Sequence, residues 1–196
     1  MNQTLQYYND NAASFASGTL SVDFGAIQNL FLSYLKSEAH ILDFGCGAGR
    51  DTKYFLDHGF LVTAIDGSQE LCKLASNYTG IHVQHSYFQD LCSIDQYDAI
   101  WACSSILHAQ KSELPSIFEK MTAALHVGGY LYTSFKSSNF EGMRNGRYFT
   151  NFEESSFRDF IQAFPQLKII KLWTTSDVRP ERSNEQWLNI ILQKTI

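Results

Sequence analysis

The chain of 196 residues is 44% hydrophobic, which predicts one folded domain and disfavours a disordered chain. Its net charge of -5, with no clustered basic face, disfavours a nucleic-acid-binding protein. No apolar run reaches the length of a membrane span, and the first residues lack the pattern of a secretory signal, so we expect a cytoplasmic protein without a membrane partner. The four cysteines show no CxxC spacing, so we expect free thiols.

Helix and strand patterns alternate along the first half of the chain. Residues 20–36 carry apolar side chains at intervals of three and four, and this periodicity predicts a helix with one buried face. A short apolar run at 40–44, ending in glycines, predicts the first strand. The next predicted elements are a helix at 49–58, a strand at 61–65, a helix capped by Ser68, a weak strand at 81–84 and a strong strand at 97–103.

The second half continues this alternation and ends differently. The last two strands have no helix between them, so they must pair antiparallel, and their polar link at 175–185 is a candidate part of a site. The whole pattern predicts an α/β fold with a mostly parallel seven-stranded sheet, an antiparallel last strand and helices on both faces. The predicted elements are a helix from Ser112, a strand at 130–135, a helix with a capping box of Thr150 and Glu153, and strands at about 167–174 and 186–193.

A glycine-rich segment, Asp-Phe-Gly-Cys-Gly-Ala-Gly at 43–49, joins the first strand to the next helix. Glycines at such a junction allow a sharp turn and a close approach of the backbone to a ligand. Dinucleotide-binding folds place a third glycine where this chain has Arg50, so a pyrophosphate ligand is disfavoured. The carboxylate of Asp43 suits a cationic amino-acid ligand better.

Asp66 ends the second strand, about twenty residues after the glycines, where an acidic residue can accept hydrogen bonds from ribose hydroxyls. By itself such an aspartate would more often begin a helix, since Gly67 and Ser68 follow it. The glycine segment upstream favours the ribose interpretation.

The segment at 97–108 predicts a buried strand followed by a short polar stretch that ends in His108. Ligands of open α/β sheets bind at the carboxyl ends of central strands, so His108 lies beside the predicted crevice. A general base and a structural histidine both fit this position. His82 and His85 point to opposite faces of a strand, which argues against a metal site, and neither a GxSxG elbow nor a P-loop is present.

Together these segments resemble the motifs of class I S-adenosylmethionine-dependent methyltransferases, with 125–131 resembling that family's turn into strand five. The resemblance covers about 41–136 and implies a Rossmann-like fold. Outside that core the chain resembles small bacterial methyltransferases described as tellurite-resistance-like, at 7–9, 134–136, 146–149, 177–180 and 187–189. We expect one domain at 1–196, made of a cover segment at 1–19, a cofactor-binding core at 40–136, and substrate-side loops with the last strands at 137–196.

The family resemblance implies a site for S-adenosylmethionine. Asp43 would lie near its ammonium group, Asp66 would hold the ribose hydroxyls, and Gly67 would lie beside the adenine. Tyr87 stands where the family often has Asp or Asn, so a side-chain bond to the adenine amine is in doubt. The other implied contacts are Gly45, Cys46, Gly47 and the backbone of Cys103 at the methionine part and ribose, and Tyr87 and Phe88 flanking the adenine.

The predicted function is methyl transfer to a small-molecule acceptor, and the alternative is a non-catalytic or nicotinamide-binding protein of the same fold. His108 is the candidate base, and Tyr7 or Tyr8 would orient the acceptor. The topology directs three segments toward the acceptor side of the crevice, where cations and a phenol would hold a flat or anionic molecule. The side chains predicted there are Lys136, Arg147, Tyr148 and Arg179.

Overall fold

The computed structural model describes residues 3–179 and 182–196, so the end of the 177–180 motif lies outside the described residues. The helices are α1 (Gln3–Asp10), α2 (Ala12–Thr19), α3 (Gly25–Leu32), α4 (Arg50–Asp57), α5 (Gln69–Thr79), α6 (Leu114–Ala124) and α7 (Glu154–Ile161). The strands are β1 (His40–Phe44), β2 (Leu61–Asp66), β3 (Gln84–His85), β4 (Tyr97–Ala102), β5 (Leu125–Lys136), β6 (Glu141–Arg144), β7 (Arg147–Thr150), β8 (Leu167–Ser176) and β9 (Gln186–Lys194).

Seven strands form one sheet in the order β3-β2-β1-β4-β5-β9-β8. The pairs β1–β2, β1–β4, β2–β3 and β4–β5 are parallel, whereas β9 runs antiparallel to both β5 and β8. The predicted α/β fold, mostly parallel with an antiparallel last strand, is confirmed. The carboxyl ends of β1, β2, β4 and β5 therefore meet at one edge of the sheet.

The central strands are buried on both faces. Successive side chains of a strand point to opposite faces, so Leu42 packs with the aromatic side chains of α6 and α7, and Ile41 packs with those of α3 and α4. Trp101 of β4 lies on the second face, stacked on Tyr132 with ring centroids 4.0 Å apart. Helices cover both faces of the sheet, and this explains why the sequences of these strands are continuously apolar.

Several predicted boundaries are corrected. The helix expected at 20–36 spans only Gly25–Leu32, because the chain turns at both ends of that apolar stripe. The strand expected at 81–84 is reduced to Gln84–His85. The predicted Thr150–Glu153 capping box is wrong: Glu153 is the N-cap and pairs with Ser156. Thr150 lies in β7, where its hydroxyl donates to the carbonyl of Ala109 at 2.7 Å.

The polar stretch after β5, which was expected to be a loop, contains a hairpin of β6 and β7. Strands β6 and β7 pair antiparallel, with Glu141 opposite Thr150 and Arg144 opposite Arg147. Asn145 and Gly146, with φ of 50° and 77°, form the two-residue turn. Asn-Gly is a strong local hairpin signal, so this element was readable from the sequence.

Residues 3–19, expected only as a cover segment, form the helices α1 and α2. No helix within the described residues is long and apolar enough to cross a membrane.

Candidate active site

A cavity of about 260 Å³ opens at the sheet edge where four parallel strands end. The residues directly after β1, β2 and β4 line it, namely Gly45, Gly67 and Cys103, as does Lys136 at the end of β5. Residues of α1, of β7 and of the link between β8 and β9 complete the wall. The cavity therefore lies where ligands of open α/β sheets bind.

The glycine loop is pressed against the segment that follows β4. Gly45 has φ of 86°, and a Cβ there would lie 2.5 Å from the Cβ of Ser105. The amides of Gly45 and Cys46 both donate to the carbonyl of Ile65, at 3.0 and 2.9 Å. These bonds hold the loop across the end of β2, and the absence of side chains keeps its backbone open to the cavity.

Asp66 connects the glycine loop to the start of α5. One carboxylate oxygen accepts from the amide of Gly47 and the other from that of Ser68, both at 2.8 Å. Burial raises the pKa of Asp66 to about 6, although these two hydrogen bonds lower it. Each oxygen retains acceptor capacity, so the group can receive hydroxyl donors from a ligand in the cavity.

Two acidic side chains lie together at the same end of the cavity. Asp43 accepts a 2.5 Å hydrogen bond from the hydroxyl of Thr52. Burial and the neighbouring charge of Asp51 raise the pKa of Asp43 to about 8. Asp51 itself accepts from Gln28 and Trp101, at 2.7 and 2.8 Å. A cationic ligand group beside Asp43 would favour the charged form of that carboxyl.

Hydrophobic side chains from distant segments form the wall beside Gly67. A Cβ at Gly67 would lie 2.8 Å from Leu5 of α1 and 3.5 Å from Tyr87. Phe88 packs on Phe44 with ring centroids 4.9 Å apart and also lines the cavity. This slot, bounded by Leu5 and the two aromatic rings, suits a flat apolar ring.

His108 is held in one tautomer at the opposite end. Its Nδ1 lies 2.6 Å from the carbonyl oxygen of Tyr148, which can only accept, so Nδ1 carries the proton. Burial, opposed by the hydrogen bond to Tyr148 and assisted by the charges of Arg147 and Lys136, lowers the pKa of His108 to about 4, so the ring is neutral near pH 7. Its Nε2 accepts from the hydroxyl of Tyr8 at 2.8 Å. This leaves the Tyr8 oxygen as an acceptor beside the cavity.

Helix α1 and the β6–β7 hairpin join over this end of the cavity. The amide of Tyr148 donates to the hydroxyl of Thr4 at 2.8 Å. The Arg147 guanidinium lies 4.7 Å from the ring centroid of Tyr7, and a Cβ at Gly146 would lie 2.9 Å from that ring. The two elements are 144 residues apart in sequence at the Thr4–Tyr148 contact and form one roof.

Most of the predicted site residues line this one cavity, but two do not. Tyr7 lies behind Arg147. The Tyr148 side chain lies outside the cavity lining, with its hydroxyl donating to Glu141 at 2.9 Å. Tyr148 contributes its carbonyl to the site, as the acceptor of the His108 hydrogen bond, and a contact of its side chain with an acceptor stays a prediction. The predicted residues that line the cavity are Tyr8, Asp43, Gly45, Cys46, Gly47, Asp66, Gly67, Tyr87, Phe88, Cys103, His108, Lys136, Arg147 and Arg179.

The wall residues that were not predicted from the sequence include Asp51, Leu5 and Ser104. Asp51 has no signal beyond its position in the first turn of a helix, and Leu5 has none. Ser104 has φ of 51°, an uncommon conformation for a residue with a side chain, and its amide donates to the hydroxyl of Ser134 at 2.9 Å. Such backbone strain is often found at functional sites and is invisible in the sequence.

Comparisons with known proteins find methyltransferases among the proteins that resemble this chain. Residues 41–129 match the family model described as "Methyltransferase domain". An "Uncharacterized methyltransferase" of Staphylococcus carnosus (strain TM300) is 27% identical over 108 residues, which is 54% of this chain. The chain's match spans about half, 52%, of that relative's length.

Solved structures share the fold at low identity. The 1,6-didemethyltoxoflavin-N1-methyltransferase of Burkholderia thailandensis, crystallised with bound 1,6-didemethyltoxoflavin and S-adenosylhomocysteine, has a TM-score of 0.77 at 21% identity, covering 97% of this chain and 88% of its own. The [4+2]-cyclase SpnF has a TM-score of 0.76 at 15% identity, covering 100% of this chain and 97% of its own. The fold is thus shared by proteins described by different reactions.

Proposed function

We propose that this chain is a class I S-adenosylmethionine-dependent methyltransferase that transfers the methyl group of that cofactor to a small-molecule acceptor. One observation carries the proposal: the glycine loop, the Asp66 carboxylate and the Asp43–Asp51 pair border a single cavity at the carboxyl edge of the sheet. The acceptor, the roles of individual residues and a cytoplasmic location are predictions of this proposal.

The residues at this end fit the groups of the cofactor. Asp66 would accept from the ribose hydroxyls, and Asp43 would hold the ammonium group. The slot between Leu5, Tyr87 and Phe88 would take the adenine. The methionine part would lie along the backbone at Gly45. Only glycine fits this position, because a Cβ there would meet Ser105.

The bound cofactor supplies a methyl group on a sulfonium, which is a reactive electrophile by itself. The chain then has to hold an acceptor in line with that group and keep water away, and positioning alone can lower a barrier by about 7–11 kcal/mol. The roof of α1 and the β6–β7 hairpin supports both tasks. It closes the acceptor end and brings Tyr8 to the cavity.

Tyr8 and His108 would orient the acceptor through hydrogen bonds. The Tyr8 hydroxyl donates to His108 Nε2 and can accept from an N–H or O–H of the acceptor. Neutral His108 is a weak base here, because its burial and the nearby cations disfavour the imidazolium. This pair therefore suits an acceptor that needs orientation more than deprotonation.

The nicotinamide alternative is disfavoured by charge. Asp43 and Asp51 stand beside the glycine loop, where a pyrophosphate would need positive groups. Arg50 occupies the position of the third glycine of dinucleotide folds, and its guanidinium is bound to Asp51 at 2.7 Å. The positive charge at this turn is thus already neutralised.

Titration calorimetry with S-adenosylhomocysteine and with NAD tests the proposal. We expect binding of the first and none of the second. Binding of NAD alone, or of neither compound, would overturn the assignment. Incubation with methyl-labelled cofactor and a bacterial metabolite extract then separates an enzyme from a non-catalytic protein: cofactor binding without label in any metabolite would favour the non-catalytic alternative.

A further inference from the structure

Arg147 has an unsatisfied donor on the cavity wall. Its Nε is buried and has no hydrogen-bond partner. Within residues 3–179 and 182–196, no carboxylate oxygen lies within 4.0 Å of its guanidinium nitrogens. Buried polar groups are normally hydrogen-bonded, and buried charges are normally paired, so this side chain is prepared for an anion that the described part of the chain does not supply.

Of the four other arginines and lysines on the cavity wall within the described residues, three are paired with carboxylates, and the fourth, Arg182, lies in the link between β8 and β9. Arg179 pairs with Asp177 at 2.6 Å, and Lys136 pairs with Glu185. Arg50 pairs with Asp51 at 2.7 Å. Arg147 therefore differs from these three cations, whose ion pairs stabilise the protein's own loops.

Aromatic rings surround the guanidinium. Its central carbon lies 4.7 Å from the centroid of Tyr7, 5.3 Å from that of Phe149 and 5.9 Å from that of Tyr8. Stacking on rings fixes a guanidinium and leaves its donor edge for a planar anion, which it binds in a two-point geometry. The same rings provide apolar contact for a flat molecule.

Arg147 lies at the end of the cavity where the methyl acceptor would bind, so its anionic partner would be part of the acceptor. Arg147 is close enough to His108 to lower the pKa of that ring, and Tyr8 lies between them. Asp43, for which the described residues provide no ion pair, stands at the glycine-loop end of the cavity. The cavity therefore has an acidic end suited to the cofactor's ammonium and a basic end beside the Tyr8–His108 pair.

We propose that the methyl acceptor is a flat molecule bearing a carboxylate-type anionic group, which Arg147 binds next to the Tyr8–His108 pair. This inference rests on the proposed function. The carboxylate of the cofactor is a second group that Arg147 could bind, so the experiment must separate binding of the cofactor from binding of the acceptor.

The probes are benzoate and its neutral counterpart benzamide, titrated into the full chain saturated with S-adenosylhomocysteine and followed by ligand-observed NMR. The variants are Arg147→Met, Arg147→Lys and Arg144→Met. Arg144 is a matched control because it faces Arg147 across the same hairpin and is exposed. Arg147→Lys keeps the charge and loses the two-point geometry, so it is informative even where Arg147→Met does not fold.

We expect the parent chain to prefer benzoate by about tenfold or more, as a charge-assisted hydrogen bond implies. Arg147→Met should lose this preference, Arg147→Lys should keep part of it, and Arg144→Met should keep all of it. Affinity for S-adenosylhomocysteine should stay within about twofold in every variant. Weakened cofactor binding in Arg147→Met, or a benzoate preference that survives it, would overturn the inference.

The proposed function can fail separately. If the parent chain does not bind S-adenosylhomocysteine, the benzoate and benzamide titrations are repeated without it. A benzoate preference that depends on Arg147 would then support an anion site in a protein of another function. Its absence would overturn the anion site as well.

Discussion

At the scale of single residues, burial pushes the acids and the histidine of the cavity toward their neutral forms. It raises the pKa of Asp43 to about 8 and of Asp66 to about 6, and lowers that of His108 to about 4. A bound ligand that places a positive charge or a hydrogen-bond donor beside Asp43 or Asp66 would stabilise the ionised carboxylate and offset the effect of burial. Ligand binding and protonation are therefore coupled at both ends of the cavity.

Asp66→Asn should weaken S-adenosylhomocysteine binding, because each hydroxyl bond to a charged acceptor contributes roughly 1.5–3 kcal/mol. Affinity of the parent chain should fall as the pH drops through about 6, since protonation removes the charged acceptor. The variant should lose this part of the pH profile and retain the part due to Asp43. Calorimetry from pH 5 to 8 measures both. The exposed Asp57→Asn serves as control, and equal affinity in Asp66→Asn would move the ribose contact elsewhere.

His108 should make the fold sensitive to acid. Its folded-state pKa of about 4 lies below the ordinary 6.5, so between these values the unfolded chain binds more protons and stability falls as the pH falls. The charged or titratable groups that face the ring are Tyr8, Arg147 and Lys136. In His108→Asn the loss of unfolding free energy from pH 7 to 5 should be smaller than in the parent chain. Denaturant unfolding at each pH measures it, and parallel curves would contradict the assignment.

At the scale of elements, the roof depends on a contact between α1 and the turn of the β6–β7 hairpin. Gly146 has φ of 77°, and Tyr7 lies where a Cβ would go, at 2.9 Å. Gly128 offers a matched position, with φ of 87° and nothing within 4 Å of its Cβ. The two glycines differ in their neighbours and hardly in backbone strain.

Alanine at either position should cost about 1 kcal/mol through the left-handed backbone. Gly146→Ala should in addition displace Tyr7 and release α1. Hydrogen exchange should then speed up in Gln3–Asp10 and Arg147–Thr150 of this variant only. Equal exchange in Gly146→Ala and Gly128→Ala would mean that the roof is not held by this contact.

At the scale of the whole molecule, segments from both ends of the chain line one cavity at the edge of the sheet. A shared fold with a cyclase and a methyltransferase agrees with the rule that the fold decides where a ligand binds and the side chains decide what happens to it. Here the side chains at that edge are arranged by charge. Acids lie at the glycine loop, and Arg147 lies under the roof.

Cofactor binding should therefore stabilise the molecule as a unit. At a hundred times its Kd, S-adenosylhomocysteine should raise the unfolding free energy by about 2.7 kcal/mol. Hydrogen exchange should slow at the glycine loop and also in α1, because Leu5 borders the slot beside Gly67. Protection at the loop without protection of α1 would remove the N-terminal helix from the cofactor site.

The sequence by itself determined the alternation of strands and helices along the chain, the antiparallel last strand and the glycine loop with Asp66. These are local signals: apolar periodicity, glycine spacing and connection length each act over a few neighbouring residues. The local Asn-Gly turn of the hairpin belonged to the same class and was overlooked.

The tertiary structure alone decided which charges remain available. Tyr8 and His108 meet across 100 residues, and Thr4 holds the Tyr148 amide across 144. No sequence pattern distinguishes Arg147, which has no carboxylate beside it among the described residues, from Lys136, which pairs with Glu185 across 49 residues. Ion pairing and desolvation depend on distances of a few ångströms between segments that the chain brings together only on folding, so the candidate chemistry is a property of the folded molecule.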